Sequence, residues 1–102
     1  MAMLHIVNKS PFDRNVLLSC LRLAPDKGAV LLIEDGVIAA DKRTRFKDLV
    51  QEAQSRLQFY VLMADASARG IDSTALIDGV KPVDYNDFVD LVVEHDNVQS
   101  WV

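Results

Sequence analysis

Ala29 to Ile33 is a run of five apolar residues that passes straight into Glu34, Asp35 and Gly36. A strand with one wet face would alternate apolar and polar positions. An unbroken run instead predicts a strand covered on both faces, as in a parallel sheet held between helices. Glu34, Asp35 and Gly36 mark the carboxyl end of that strand, the edge at which ligands and partners dock in open α/β sheets. The rest of the chain arranges itself around this strand.

Before it, Leu4 to Val7 predicts a short first strand. The turn Asn8-Lys9-Ser10-Pro11 leads into a helix from Pro11 to about Ala24, with Ser10 as N-cap and Asp13 completing an approximate capping box. On a helical wheel Phe12, Val16, Leu17, Cys20, Leu21, Leu23 and Ala24 share one broad face, with Cys20 near its centre. After the central strand, Val37 to Ala40 predicts a short turn of helix or a loop, and Asp41 to Arg45 is polar and basic. Phe46, Leu49, Val50, Ala53 and Leu57 recur at helical spacing, and Glu52 with Arg56 forms a favourable i,i+4 pair. Phe59 to Met63 predicts a third strand. Asp65 caps a short helix stopped by Arg69-Gly70. Leu76-Ile77 and Val80 to Val83 are broken by Gly79 and Pro82, with Val83 closing a fourth strand. Asp84 then caps a helix with Tyr85, Phe88, Val89 and Val92 inward and Asp87, Asp90 and Glu94 outward. Val98 to Val102 predicts a last strand. No repeat, linker or low-complexity tract interrupts the series.

Alternating strands and helices predict one domain over residues 1–102, a three-layer α/β/α fold with a five-stranded, mostly parallel sheet and right-handed crossovers. A chain of 102 residues can bury a core without disulfides or metals. Half of it is apolar; with glycine counted in and tyrosine left out, the content stands slightly above the ~45–50% usual in globular domains. That excess predicts apolar surface reserved for a partner. A net charge of −4 argues against direct nucleic-acid binding, which needs clustered cations. No apolar run approaches the ~18 residues of a membrane span, and the first nine residues lack the features of a signal peptide. One cysteine cannot form an internal disulfide, which fits a reducing cytoplasm.

Chemistry is sparse. Neither a dinucleotide-binding nor a P-loop glycine pattern is present, so no cofactor is expected, and a free-standing flavodoxin-like binder would lack its phosphate loop. One cysteine and two distant histidines make no zinc spacing. Glu34, Asp35, Asp65 and Asp84 all fall at carboxyl ends of predicted strands. A receiver-like acidic metal site would place its acid pair after the first strand, where Asn8-Lys9 stands instead, so helix caps and a turn are the simpler account. Lys42, Arg43, Arg45 and Lys47 form a basic cluster before a helix, either solvated surface or a docking patch for an acidic partner. Cys20 is the one candidate nucleophile. On an apolar helix face it is inert packing; as a thiolate it would need exposure and nearby positive charge.

The succession of Leu4-His5-x-x-Asn8-Lys9-Ser10-Pro11-Phe12, Ser19-Cys20-Leu21, Leu31-Leu32-x-Glu34-Asp35-Gly36, Ala68-Arg69-Gly70, Val83-Asp84-Tyr85-x-x-Phe88-Val89-x-Leu91 and Val98-Gln99-x-Trp101 resembles DsrH, the smallest subunit of the DsrEFH sulfur-relay complex, and its counterpart TusB of TusBCD. The resemblance spans essentially the whole chain. It implies a cytoplasmic heterohexamer with DsrE/TusD-like and DsrF/TusC-like subunits, relaying persulfide sulfur to a small carrier, DsrC or TusE. The family's principal sulfur-carrying cysteine lies on the DsrE or TusD partner. DsrH-like members have a cysteine at the position of Cys20, whereas TusB-like members commonly lack it. The resemblance therefore leans towards DsrH and sulfur oxidation, with tRNA thiolation as the alternative, and it makes Cys20 a candidate persulfide carrier.

Overall fold

The computed structural model describes residues 3–102. Among them are strands β1 (Met3–Val7), β2 (Ala29–Leu32), β3 (Gln58–Leu62), β4 (Lys81–Val83) and β5 (Asn97–Trp101). Helices α1 (Val16–Leu23), α2 (Lys47–Ala53), α3 (Met63–Ala68) and α4 (Tyr85–Glu94) alternate with them. A 3-10 helix, Glu34–Ala40, follows β2, and a shorter one spans Ser73–Ala75. The sheet order is β4-β3-β2-β1-β5, and every pairing is parallel. This is the predicted fold class, with β2 in the middle of the sheet and all four of its residues buried.

Register sorts the side chains into two layers. Val7, Val30, Leu32, Phe59 and Val61 face α1, α2, α3 and the 3-10 segment, packing with Leu17, Cys20, Leu21, Val50 and Ala66 into the larger core. Leu4, Ala29, Leu31, Leu62 and Val83 face the other way and meet α4 through Leu91. Ile6, Ile33, Tyr60 and Phe88 only partly close that second layer. The two faces are thus unequally covered, with one helix doing on one side what three do on the other.

Several boundaries differ from the sequence expectation, each for a tertiary reason. Helix α1 starts at Val16, not Pro11. Residues 10–14 form a turn in which the Ser10 carbonyl accepts from the Asp13 and Arg14 amides, both at 3.1 Å, while the Ser10 hydroxyl accepts from the Phe12 amide at 3.2 Å. Phe12 is drawn out of the helical path to meet the edge of Phe46, ring centroids 4.9 Å apart, with the Arg45 guanidinium over both rings. Leu23, placed on the apolar face by the wheel, is exposed at the last turn.

Helix α2 ends at Ala53, and Leu57 reaches the core from the turn beyond it. Arg56 does not use Glu52. Its guanidinium donates to the Leu21 and Ala24 carbonyls at the end of α1, where carbonyls lack helical partners, and lies 3.4 Å from Asp26. Strand β3 stops at Leu62, so Met63 opens α3 without a loop, and Asp65 sits inside the first turn of α3 instead of capping it. The Gly70 stop, at φ +75°, is as predicted. Asp84 forms a full capping box with Asp87. The inward face of α4, however, is Leu91 with part of Phe88; Tyr85, Val89 and Val92 point outward.

Candidate functional site

The carboxyl edge of the sheet gathers Asn8 after β1, Glu34 to Gly36 after β2, Asp65 after β3 and Asp84 after β4. Glu34 adopts a left-handed backbone, φ +49°, rare for a residue with a side chain. Its amide donates to Asp65 Oδ2 at 2.7 Å, which ties β2 to α3. Arg69 completes the link, donating from Nε to Asp35 Oδ1 and to the Asp65 carbonyl, each at 3.0 Å. Gly36 is required where it stands, because any side chain there would run into the Val7 carbonyl oxygen. Close beside it, the buried Oδ1 of Asn8 has no hydrogen-bond partner among the described residues.

This edge therefore spends its three aspartates on structure. Asp65 holds a backbone amide, Asp35 holds Arg69, and Asp84 holds the Asp87 amide at 2.8 Å. Among the described residues no three His, Cys, Asp or Glu side chains stand together in a way that could hold a metal. His5 and His95 serve separate places. His5 is buried and accepts at Nδ1 from Trp101 Nε1 at 3.0 Å, which puts its own proton on Nε2, an atom with no partner among the described residues. Burial pushes the His5 pKa below its usual value. Nδ1 of His95 lies 2.7 Å from the Leu91 carbonyl at the end of α4.

Cys20 lies on the buried face of α1 with no solvent exposure. Desolvation pushes its thiol up to about 12, only partly opposed by the positive charge of Arg56. Relative to a thiol at its ordinary value, the thiolate fraction at neutral pH falls roughly a thousandfold, and the thiolate is the nucleophile. The basic cluster is partly consumed within the chain. Arg43 grips Asp41 through two 2.9 Å hydrogen bonds, which hold the Asp41 carboxyl below the usual carboxylate range. Arg45 sits on the two phenylalanine rings, 5.0 and 5.1 Å from their centroids, leaving Lys42 and Lys47 as exposed members with no ion pair among the described residues.

The most prominent unpartnered feature was not singled out from the sequence. Tyr85, Phe88, Val89, Val92 and Val93 line a shallow groove of about 320 Å³ on the outer side of α4. A signal was present. At 100° per residue the apolar arc from Leu91 to Val93 spans about 200°, twice the roughly 100° that a helix packed on one side requires.

The sequence matches the family model described as "DsrH like protein" over residues 9–98. Protein TusB of Shigella flexneri is 35% identical over 99 residues, covering 97% of this chain and 100% of the relative. Protein TusB of Klebsiella pneumoniae subsp. pneumoniae is 37% identical with the same coverage. Among solved structures, the YchN protein of E. coli superposes with a TM-score of 0.80 at 21% identity, covering 99% of this chain and 100% of that one. A protein of unknown function from Methanobacterium thermoautotrophicum follows with a TM-score of 0.75 at 20% identity, over 97% and 96% of the two chains. At those identities the two structures speak for the fold alone. The sequence matches go further: end-to-end similarity to TusB chains, together with a DsrH-type match over residues 9–98, makes this chain a member of the DsrH/TusB family.

Proposed function

We propose that this chain is a non-autonomous subunit of a sulfurtransferase complex, one that builds the assembly and shapes a partner's sulfur site without carrying sulfur itself. The observation that carries the second half is Cys20. A persulfide relay needs a cysteine at the surface, and the single cysteine here is wholly inside the core. The family membership supports the first half, with DsrE/TusD-like and DsrF/TusC-like subunits as partners and a DsrC/TusE-like protein as sulfur acceptor. The chain works as one domain in a cytoplasmic heterohexamer. Of the two pathways, tRNA thiolation is favoured by the TusB relatives. Sulfur oxidation is the second reading, supported by a cysteine at the position where DsrH-like members carry one.

The test is co-expression with both partner subunits, followed by incubation with a persulfide donor and mass spectrometry of each chain. The added sulfur is expected on the DsrE/TusD-like partner and not here, with loading unchanged in Cys20→Ala. One added sulfur on this chain, lost in Cys20→Ala, would make it a carrier. For the pathway, deletion of the gene should abolish 2-thiouridine in tRNA; unchanged thiouridine with loss of growth on reduced sulfur would assign it to sulfur oxidation.

A further inference from the structure

We propose that the outward face of α4 is a docking surface for a segment of a different protein, one presenting apolar side chains bordered by lysine and arginine. The proposal rests on the reading of this chain as a subunit of a larger complex, and it gives that contact a location and a chemistry.

Three observations carry it. First, the face is apolar and open. Tyr85, Val89 and Val93 are 60%, 61% and 78% exposed, and with Phe88 and Val92 they line a continuous groove. The sheet beneath adds to it, since Val98 stands in register with Leu4 on the same side and is itself exposed, while Ile6 and Ile33 are partly buried. Second, the residues oppose local preference. Valine is a poorer helix former than alanine or leucine, and Val89 and Val93 have no packing in this chain that offsets the cost. A local choice that works against folding without a visible return marks a functional surface.

Third, the border has one sign. Asp84, Asp87, Asp90, Glu94 and Asp96 occur in this region, and no lysine or arginine follows Lys81. On the helix Asp90 and Glu94 run beside Val93, with Asp84 and Asp96 at the two ends. The three ion pairs among the described residues all lie elsewhere, so none of these carboxylates is paired with a cation of a described residue. An apolar strip with an acidic rim fits a cationic rim around an apolar centre.

The same rim disfavours other occupants. A symmetric dimer with the two α4 helices antiparallel would set the carboxylates of one copy against those of the other. Anionic lipid and nucleic acid are repelled for the same reason. The chain's own basic patch offers only Phe12 as an exposed large apolar side chain, and its two arginines are engaged with Asp41 and the phenylalanine rings. It cannot fill a groove built from five side chains.

The experiment uses the full chain co-expressed with its DsrE/TusD-like and DsrF/TusC-like partner subunits. Wild type should co-purify at fixed stoichiometry, with affinity falling about tenfold or more between low and high salt. Val89→Asp with Val93→Asp should weaken the complex by about a hundredfold or more. Its far-ultraviolet circular dichroism and melting temperature should stay as in wild type, because both positions are on the surface. Asp90→Lys with Glu94→Lys should weaken it by about tenfold and remove the loss at high salt. Wild-type assembly that all four substitutions leave intact overturns the docking surface while the subunit reading stands. Loss with the valine substitutions, but indifference to charge reversal and salt, overturns the basic partner. A self-associating wild type rendered monomeric by the valine substitutions, with the partner complex unaffected, makes a second copy the occupant. Failure of wild type to assemble at any salt removes the subunit reading and this proposal together.

Discussion

If Cys20 is packing, its chemistry should be that of a buried methylene-sized group. Iodoacetamide labelling of the native protein tests this directly. Two factors suppress the reaction: a thiol pushed up to about 12, and zero exposure of the side chain. The first alone lowers the thiolate fraction by roughly a thousandfold. Closure adds its own factor, because the reagent must wait for the core to open. A domain stable by ~5–15 kcal/mol opens globally less than about once in 10³ molecules, so labelling should proceed through unfolding. The rate should then rise steeply in urea below the unfolding midpoint.

Substitution gives the same site a second readout, in urea melts followed by circular dichroism. Cys20→Ala removes one atom from a packed site and should cost on the order of 1 kcal/mol or somewhat more. Cys20→Ser keeps the shape but buries a hydroxyl, at a cost of about 1–3 kcal/mol unless it bonds back to the Val16 carbonyl one turn earlier. The expected order of stability is therefore Cys, Ala, Ser. Native labelling within about tenfold of that in urea, with all three variants within ~0.5 kcal/mol of one another, would refute burial and return Cys20 to the surface.

His5 gives a pH dependence. Its folded pKa lies below the ordinary 6.5 of a solvated imidazole, so the unfolded chain takes up the proton first as pH falls. Its stabilising effect is complete above 6.5 and is lost as pH drops through 6.5 towards the lowered folded value; urea midpoints at pH 7.5 and 5.5 should differ in wild type and converge in His5→Phe. Leu91→Ala removes the anchor of α4 and should cost about 2–5 kcal/mol in urea melts, whereas Val93→Ala, on the open side of the same helix, should change stability by no more than about 0.5 kcal/mol. Gly36→Ala should fail to accumulate as folded protein because its Cβ meets the Val7 carbonyl, while Gly70→Ala, strained in φ but facing open space, should cost only about 1 kcal/mol in melting experiments.

Much of the fold was legible wherever local signals agreed with the final packing. The unbroken run from Ala29 announced a strand with two covered faces, and β2 is central and buried. Asp84 announced a helix start, and it caps α4, with Asp87 completing a capping box. The gathering of Glu34, Asp35, Asp65 and Asp84 at one edge followed from strand order along the chain. Their employment did not. That Asp65 spends its carboxylate on the Glu34 amide, 31 residues away, is a fact of the folded chain.

The amino-acid sequence by itself determined the order of elements, the parallel class of the sheet and the family. Hydrophobic period, capping residues and glycine stops are local, and they survive whatever the elements later touch. Only the tertiary structure decided matters that depend on a distant neighbour. Phe46 and Arg45 pull Phe12 outward, and α1 loses the first turn that Ser10 and Pro11 had promised. The ends of α1 draw Arg56 away from Glu52. On α4 a wheel shows that an apolar arc exists but not which part of it meets the sheet. With one helix covering that side, Leu91 takes the contact, and Tyr85, Val89 and Val93 are left facing outward. The reason is geometric: a helix has one axis and many faces, and which face is buried is set by what lies beneath it.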